Sequence, residues 1–312
     1  MTKKFRLLAT ALLSCTISVI FLTLVKLNNT EINIENVANA QTEAPASESA
    51  DQASRKPSEM FRSARLAYNG QMVVAASMRE ETLVLKRHVI GIGEYMEKID
   101  NGKRFLRMEM NYSCDNVRHS VKYIEDGVMD KFWISKNIGN RSELYNVDIF
   151  KINDQSANPE LVTSIDGIPI MPVSLAGIPY ILYQIEKNFA FSSCTKIQDP
   201  QTNERFYMVV GTWKSERFPI HDFVSDNVIK WDSVPPEIPD TVKIYFGVND
   251  LFPYRINYYR DCKGSQTLIS KLNFYNVSFD VRLNPKQFSF SPSDDSNTSI
   301  DITDRYLKTI SD

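Results

Sequence analysis

Long stretches of the chain alternate between apolar and polar residues, which is the two-residue period of a β-strand with one buried face. The clearest stretch is residues 236–260, where Asn249 and Asp250 interrupt the alternation and predict a hairpin turn. One face of the predicted hairpin is apolar on both strands: Val242, Ile244, Phe246, Val248, Phe252, Tyr254, Ile256 and Tyr258. Two strands are not stable alone, so the hairpin must belong to a larger sheet.

A second alternating region covers residues 80–148. Its most regular part is 103–112, where Leu106, Met108, Met110 and Tyr112 share one face. Turn signals divide the region into segments of strand length: Gly91-Ile92-Gly93, Asn101-Gly102 and Asp126-Gly127. The pattern predicts a meander of at least five sequential antiparallel strands.

Two segments have the three- and four-residue spacing of an amphipathic helix instead. The first follows Pro57 and places Met60, Phe61 and Ala64 on one face. The second covers 174–188 and is expected to begin near Ile178, because Pro179 suits the first turn of a helix. Helices that flank an antiparallel sheet predict an α+β fold.

The amino terminus has the features of an export segment. Lys3, Lys4 and Arg6 precede an uncharged run at 7–25, whose 19 residues are just enough to cross a bilayer. Ala38-Asn39-Ala40 has the small-x-small form of a signal peptidase site, so residues 1–40 are a signal peptide or a signal anchor. Residues 41–58 lack large apolar side chains and predict a disordered tether. Residues 59–312 are expected to form one domain outside the cytoplasm, held at the inner membrane by 7–25 if cleavage after Ala40 does not occur.

Charge and motifs exclude several function classes. The net charge is −2, from 36 basic and 38 acidic residues, so no nucleic acid partner is expected. The three histidines, His88, His119 and His221, have no ligand partners at metal-binding spacing, and no hydrolase, zinc-protease or nucleotide-binding motif is present. We therefore expect no catalytic residue, no metal, no cofactor and no enzymatic activity. Three cysteines follow the export segment, and their pairing stays open: Cys114, Cys194 and Cys262.

The order of these elements and several sequence blocks resemble a known superfamily. SLAGIPYILYQIEKNFAF, GTWKS, NDLFPYRINYYR and IDITDRYL are similar to blocks of exported LolA-like bacterial proteins of the LolA/LolB/LppX superfamily. The resemblance covers roughly residues 59–310, and its motifs are structural, so no functional residue is carried over. It implies an α+β fold, an incomplete antiparallel β-barrel with helices covering the open side. Members of that superfamily carry lipoproteins or lipids across the bacterial periplasm.

The apolar faces supply the candidate binding residues. A strand and a helix contribute three residues each to a cavity that accepts an acyl chain: Leu106, Met108, Met110, Ile178, Leu182 and Ile185. Methionine suits such a site because its side chain adapts to irregular shapes. The expected function is noncovalent binding of a lipid, an acylated protein or another apolar ligand, as in a carrier. The alternative is an envelope structural or interaction protein whose barrel is filled by its own side chains.

Export can be tested with reporters fused after Asp312. Three basic residues precede the run at 7–25 and one, Lys26, follows it directly, and no second apolar run follows, so residues 59–312 should lie wholly outside the inner membrane. Alkaline phosphatase fused there should be active, because it folds only after export. A fusion to green fluorescent protein should be dark, because that reporter does not fluoresce when it is exported unfolded. A bright fusion would contradict the topology.

Overall fold

The computed structural model describes residues 56–312 except 71–72, 85–86, 101–102, 115–116, 156–163, 166–167, 170–176, 201, 219, 263, 280, 291–298, 305–306 and 308–312. The predicted signal segment 1–40 and almost all of the tether lie outside the described residues. The described chain forms two compact units. Unit 1 contains the residues up to Ala64 and Tyr183–Ile269, and unit 2 contains Arg65–Leu182 and Ser270–Asp312.

The bounds of three α-helices and sixteen strands lie in the described part of the chain. The helices are α1 (Pro57–Gly70), α2 (Ile149–Gln155) and α3 (Gly177–Asn188). The first eight strands are β1 (Val73–Val84), β2 (Arg87–Asp100), β3 (Lys103–Cys114), β4 (Val117–Asp126), β5 (Lys131–Ile138), β6 (Arg141–Asp148), β7 (Ser164–Ile165) and β8 (Ile168–Pro169). The others are β9 (Phe189–Gln198), β10 (Arg205–Trp213), β11 (Val224–Ser225), β12 (Val228–Ile229), β13 (Thr241–Gly247), β14 (Pro253–Cys262), β15 (Ser265–Ser278) and β16 (Ile300–Asp301).

Twelve strands form one sheet, in the order β16-β6-β5-β4-β3-β2-β1-β15-β14-β13-β10-β9. The two end strands do not pair with each other, so the sheet is not closed, and only β16 pairs with its neighbour in parallel. The fold is therefore α+β with an open, mostly antiparallel sheet, as predicted. The predicted meander is confirmed by β1–β6, which lie side by side in chain order.

In unit 2, the predicted apolar face of β3 is confirmed. Its four side chains are all buried: Leu106, Met108, Met110 and Tyr112. The predicted turn at Gly91-Ile92-Gly93 is wrong, because β2 runs through it without interruption. Both glycines let neighbouring groups approach the strand closely instead. A Cβ atom on Gly93 would overlap the backbone carbonyl oxygen of Glu109 and lie 2.5 Å from the sulfur of Met110, and one on Gly91 would lie 2.6 Å from the ring of Tyr112.

Part of the opposite face of β3 is covered by residues that follow β15. A short 3₁₀ turn, Pro285–Phe288, starts at Asn284 with a capping box. Phe288 is fully buried against Phe105, with ring centroids 5.8 Å apart. This turn covers the face at Phe105, whereas Asn111 further along β3 is exposed.

In unit 1, the predicted central hairpin is β13 and β14, with Ile244 directly opposite Ile256. The sequence prediction is wrong for Tyr254. A bulge pairs Phe246 with Pro253, so Tyr254 points to the other face and packs against Phe206. The extra residue reverses the alternation at one point, which a simple two-residue period does not foresee.

A buried arginine fixes the loop that leads into this hairpin. Arg260 is 4% exposed, and its Nη2 donates to the carbonyl oxygen of Trp231 at 2.5 Å and to that of Val234 at 3.3 Å. Its guanidinium lies 4.5 Å from the centre of the Trp231 ring. Nε1 of Trp213 donates to the carbonyl oxygen of Pro239 at 2.8 Å. These bonds satisfy loop carbonyls that would otherwise be buried without partners.

The structure describes only part of the residues that concern the membrane anchor and the pairing of the cysteines. Within the described ranges, no helix is long and apolar enough to cross a membrane, and the predicted anchor at 7–25 is not among them. Cys194 and Cys262 are both thiols, so they do not form a disulfide with each other. The side chain of Cys114 lies outside the described residues.

The central hairpin gives a direct stability test. Ile244 and Ile256 are fully buried, so truncating either side chain to alanine should cost roughly 2 to 5 kcal/mol in the free energy of unfolding. Lys243→Ala is the control, because Lys243 extends to Gln266 at the surface and should contribute less than about 1 kcal/mol. Chemical denaturation followed by near-ultraviolet circular dichroism measures both. Equal, small losses would contradict the register.

Candidate functional site

The strand register arranges one face of the unit 2 sheet in rows. Residues directly opposite each other in an antiparallel pair point to the same side of the sheet. The rows run across β2, β3 and β4: Glu97, Leu106 and Glu125; then Tyr95, Met108 and Tyr123; then Gly93, Met110 and Val121; and finally Gly91, Tyr112 and His119. On these three strands the two middle rows are apolar or aromatic, whereas both outer rows contain ionisable groups. On β5, the row of Val121 continues to a buried cation, Lys136.

The middle of this face forms an apolar band. It consists of Leu106, Met108, Met110, Val121, Tyr123 and Ile134, each at most 5% exposed. Tyr95 lies beside the band and packs edge-on against Phe274 of β15, with ring centroids 6.1 Å apart. Successive rows are about 6.6 Å apart along a strand, so the side chains from Leu106 to Met110 extend over roughly 13 Å.

All six residues predicted to bind a ligand are buried, each at most 2% exposed. Leu106, Met108 and Met110 lie together in the band. The first turn of α3 comes close to the same place, because the backbone N–H of Ile178 donates to the hydroxyl of Tyr95 at 3.3 Å. Leu182 belongs to unit 2 with them, whereas Ile185 belongs to unit 1. Their role in ligand binding stays a prediction.

A buried group of charged and phenolic side chains lies at one end of the band. We call it the Arg104 cluster; it consists of Tyr68, Tyr95, Glu97, Arg104 and Glu125. Arg104 Nε donates to Glu97 Oε1 at 2.6 Å, and Tyr95 donates to Glu97 Oε2 at 2.5 Å. Tyr68 at the end of α1 contacts the same Oε2 and lies 2.9 Å from the Tyr95 hydroxyl. These hydrogen bonds therefore connect β2 and β3 to α1.

Glu125 on β4 joins this cluster through an ion pair with Arg104. Its Oε2 lies 3.8 Å from Arg104 Nη1, which is an ion pair but too long for a hydrogen bond. This oxygen is buried and has no hydrogen-bond partner among the described residues. The cluster therefore contains one carboxylate oxygen that could accept a further hydrogen bond.

Burial and charge set the pKa values in the cluster. Burial raises the pKa of Glu125 to about 7, with Arg104 opposing the shift and Glu97 adding to it. Burial acts to lower the pKa of Arg104, but the carboxylates of Glu97 and Glu125 outweigh it and hold that pKa above its ordinary value. Burial also raises the pKa of both tyrosines well above 10, so their hydroxyls stay protonated at neutral pH. Arg104 is thus a permanent cation.

A second buried polar group lies at the other end of the band. Tyr112 donates to Glu80 Oε2 at 2.8 Å, and Thr82 donates to Glu80 Oε1 at 3.2 Å. Thr82 also lies 2.9 Å from the hydroxyl of Ser270 on β15. Burial raises the pKa of Glu80, while these hydrogen bonds act to lower it. His119, opposite Tyr112, is buried, and burial lowers its pKa, which favours the neutral ring.

The sequence reasoning missed every residue of the Arg104 cluster as a functional candidate. A signal was present, because Arg104 stands two residues before Leu106 and therefore shares its buried face. Glu97 likewise stands two residues after Tyr95. Burying an ionisable residue costs free energy unless the residue is paired. An ionisable residue at a position that the period predicts to be buried therefore indicates a buried ion pair. Within the described ranges, no group of three His, Cys, Asp or Glu side chains could hold a metal ion.

Comparison with known proteins gives only distant likenesses. No family model matches the chain, and no curated protein matches its sequence. The Pseudomonas aeruginosa MucA/MucB complex is similar at 10% identity and a TM-score of 0.36, covering 75% of this chain and 61% of that one.

Two further structures align over more of their own length. An outer membrane lipoprotein-sorting protein domain from Vibrio parahaemolyticus has 7% identity and a TM-score of 0.29, covering 74% of this chain and 94% of that one. A DUF1329 family protein from Desulfovibrio piger has 7% identity and a TM-score of 0.30, with 75% and 95% covered. Likenesses this low carry no functional meaning for the chain.

The pKa of Glu125 predicts how stability depends on pH. The folded pKa of about 7 lies above the ordinary 4.5, so the folded state holds a proton that the unfolded state has lost. Stability should therefore fall as pH rises from 4.5 and level off above 7, by up to about 3 kcal/mol. Glu125→Gln removes this titration, so it should stabilise the chain at about pH 8 and have little effect near the ordinary pKa. Denaturant titrations at both pH values measure the difference.

Glu94→Gln is the matched control, because Glu94 is exposed on the other face of β2. Its effect should be small at both pH values. If Glu125→Gln changes stability equally at acidic and alkaline pH, the buried carboxyl does not titrate as described.

Proposed function

We propose that this protein binds a lipid, an acylated protein or another apolar ligand noncovalently, outside the cytoplasm, as a carrier or sorting factor does. One observation carries the proposal: a buried apolar band, rich in methionine, lies between two buried polar clusters on a single sheet face. An amphipathic compartment of this kind suits a molecule with a long apolar chain and a polar end. Each methylene that such a ligand buries contributes about 0.8 kcal/mol.

The residues around the band support a removable cover. Helix α3 begins at Gly177, whose φ of +78° is unfavourable for residues with a side chain. A Cβ atom there would lie 2.9 Å from the Tyr95 hydroxyl and 3.1 Å from Leu106. The first turn of α3 thus lies directly on the edge of the band. Entry and release of a ligand would require this turn to move away from Tyr95.

Export and partners belong to the same proposal. The basic residues before the run at 7–25 support a periplasmic or otherwise extracytoplasmic domain, anchored in the inner membrane if the segment is retained. The partner is then a lipid or lipidated protein, with the cytoplasmic membrane nearby. We propose binding instead of enzymatic catalysis, without a cofactor and without a role for nucleic acid.

A second candidate is an envelope interaction protein with a filled interior. Two observations favour it. The band residues are almost completely excluded from solvent, and three large apolar side chains are exposed near one another. Val128, Met129 and Phe150 are 66% to 68% exposed, and Ile149 donates to the carbonyl oxygen of Asp130 at 3.0 Å, which joins their two segments. An exposed apolar group of this kind can bind a protein partner.

A charge placed at a predicted ligand-binding residue distinguishes the two candidates. In an acyl-binding compartment, Met108→Glu and Leu182→Glu should yield folded chains, because an open cavity can hydrate the new carboxylate when it is empty. The ligand's chain would then have to desolvate that charge, which disfavours binding by several kcal/mol. Binding is measured with N-phenyl-1-naphthylamine, an uncharged dye that fluoresces in apolar surroundings, and native mass spectrometry of the parent identifies copurified lipid.

The matched control is Asn111→Glu, at an exposed position on the opposite face of the same strand. This variant should fold and bind the dye like the parent. If the Met108 and Leu182 variants unfold, the filled interior is supported and the carrier is not. If they fold and bind the dye as well as the parent does, these residues do not line the binding site.

A further inference from the structure

The unsatisfied oxygen of Glu125 and the guanidinium of Arg104 are placed so that both could contact one polar group of a ligand. Glu125 Oε2 and Arg104 Nη1 are 3.8 Å apart, so one ligand atom can lie within hydrogen-bond distance of both. Arg104 can only donate, and an ionised Glu125 can only accept. An atom between them must therefore accept one hydrogen bond and donate another. A hydroxyl group meets this requirement, and an amide does so with two neighbouring atoms.

The charges in the cluster disfavour an anionic ligand group. Arg104 contributes one positive charge, whereas Glu97 and Glu125 contribute two carboxylates. The nearest carboxylate to Arg104, Glu97, already accepts its Nε–H at 2.6 Å. A carboxylate or phosphate from a ligand would be a third anion around one buried guanidinium, and like charges at short distance repel strongly where water is excluded. An uncharged group avoids this repulsion.

The cluster is placed where the end of a chain would lie. Leu106, the first residue of the apolar band, is directly opposite both Glu97 and Glu125 on the neighbouring strands. Met108 and Met110 continue the band away from the cluster. An acyl chain along these residues has one end beside Arg104 and Glu125 and the other beside Glu80 and Tyr112. The carboxylate oxygen that lacks a hydrogen-bond partner belongs to Glu125, which favours that end for the polar group.

We propose that the ligand carries an uncharged head group that both donates and accepts a hydrogen bond, held between Glu125 and Arg104. This inference rests on the proposed function and names its ligand class. Two sources supply this chemistry: the hydroxyl groups of an acylglycerol and the amide of an N-acylated chain. Free fatty acids and phospholipids with a net negative head group are excluded as preferred ligands.

The test is competition against N-phenyl-1-naphthylamine bound to the purified full chain, at about pH 8, where Glu125, with its pKa of about 7, is mostly ionised. Four competitors share one oleoyl chain and differ only at the head: 1-monooleoylglycerol, oleamide, methyl oleate and oleate. The first two donate and accept, methyl oleate only accepts, and oleate is anionic. We expect 1-monooleoylglycerol or oleamide, whichever matches the natural ligand, to bind at least about tenfold tighter than oleate. Methyl oleate should also bind more weakly than the preferred one of these two competitors.

A variant series locates the head group. Glu125→Met removes the acceptor and should weaken the preferred competitor by about tenfold while improving oleate, because one anion is gone. Glu94→Met, at an exposed position on the other face of β2, should change neither. Thermal unfolding of each variant checks that it is folded, and the competitor series on the parent chain tests the head group without any substitution.

The outcomes separate this inference from the proposed function. If the dye does not bind, or no competitor displaces it, apolar ligand binding itself fails. If oleate binds as tightly as the uncharged competitors, the head-group inference is wrong while ligand binding stands. Lys136, a buried cation opposite Val121, is then the alternative site for the head group. If Lys136→Met lowers the affinity for oleate, the head group binds at Lys136 and the site at Glu125 is wrong.

Discussion

The buried ion pair between Arg104 and Glu97 is the constraint on which the rest of unit 2 depends. Neither group tolerates burial alone, and removing one partner of such a pair typically costs about 3 to 5 kcal/mol. The pair joins β2 to β3, so it opposes any slip in their register. Tyr95 and Tyr68 satisfy the remaining carboxylate oxygen, which connects the end of α1 to the same point. An apolar pair could support the sheet as well, but it would not tie the strands to a helix by directional bonds.

This constraint also shapes the chemistry of the sheet face. Polar clusters at both ends confine the apolar band to a few rows, and the two glycines of β2 let Met110 and Tyr112 occupy the space that side chains of β2 would fill. The face therefore has a fixed length of apolar surface and defined polar ends. A simple closed core has no need for an ionised cluster at its edge, since well-packed apolar side chains of similar volume are usually at least as stabilising.

The sequence predicted the fold better than the site. A strand with one buried face, such as β3, can be recognised in the sequence because its apolar residues recur at every second position. The same reasoning failed at Tyr254, where a bulge shifts the period, and at Gly91 and Gly93, which serve packing instead of a turn. It also treated Glu97, Arg104 and Glu125 as ordinary polar positions. Their pairing depends on which strands become neighbours, and the spacing of residues along one strand does not contain that information.

The carboxylate of Glu97 and the hydroxyl of Tyr95 form one continuous chain of hydrogen bonds. The hydroxyls of Tyr68 and Tyr95 both donate to the same oxygen of Glu97, and the oxygen of Tyr95 in turn accepts the N–H of Ile178. The last turn of α1 and the first turn of α3 therefore reach the same carboxylate, one directly and the other through Tyr95. Withdrawal of α1 would remove one of the two donors to that oxygen, and withdrawal of α3 would remove the donor to Tyr95.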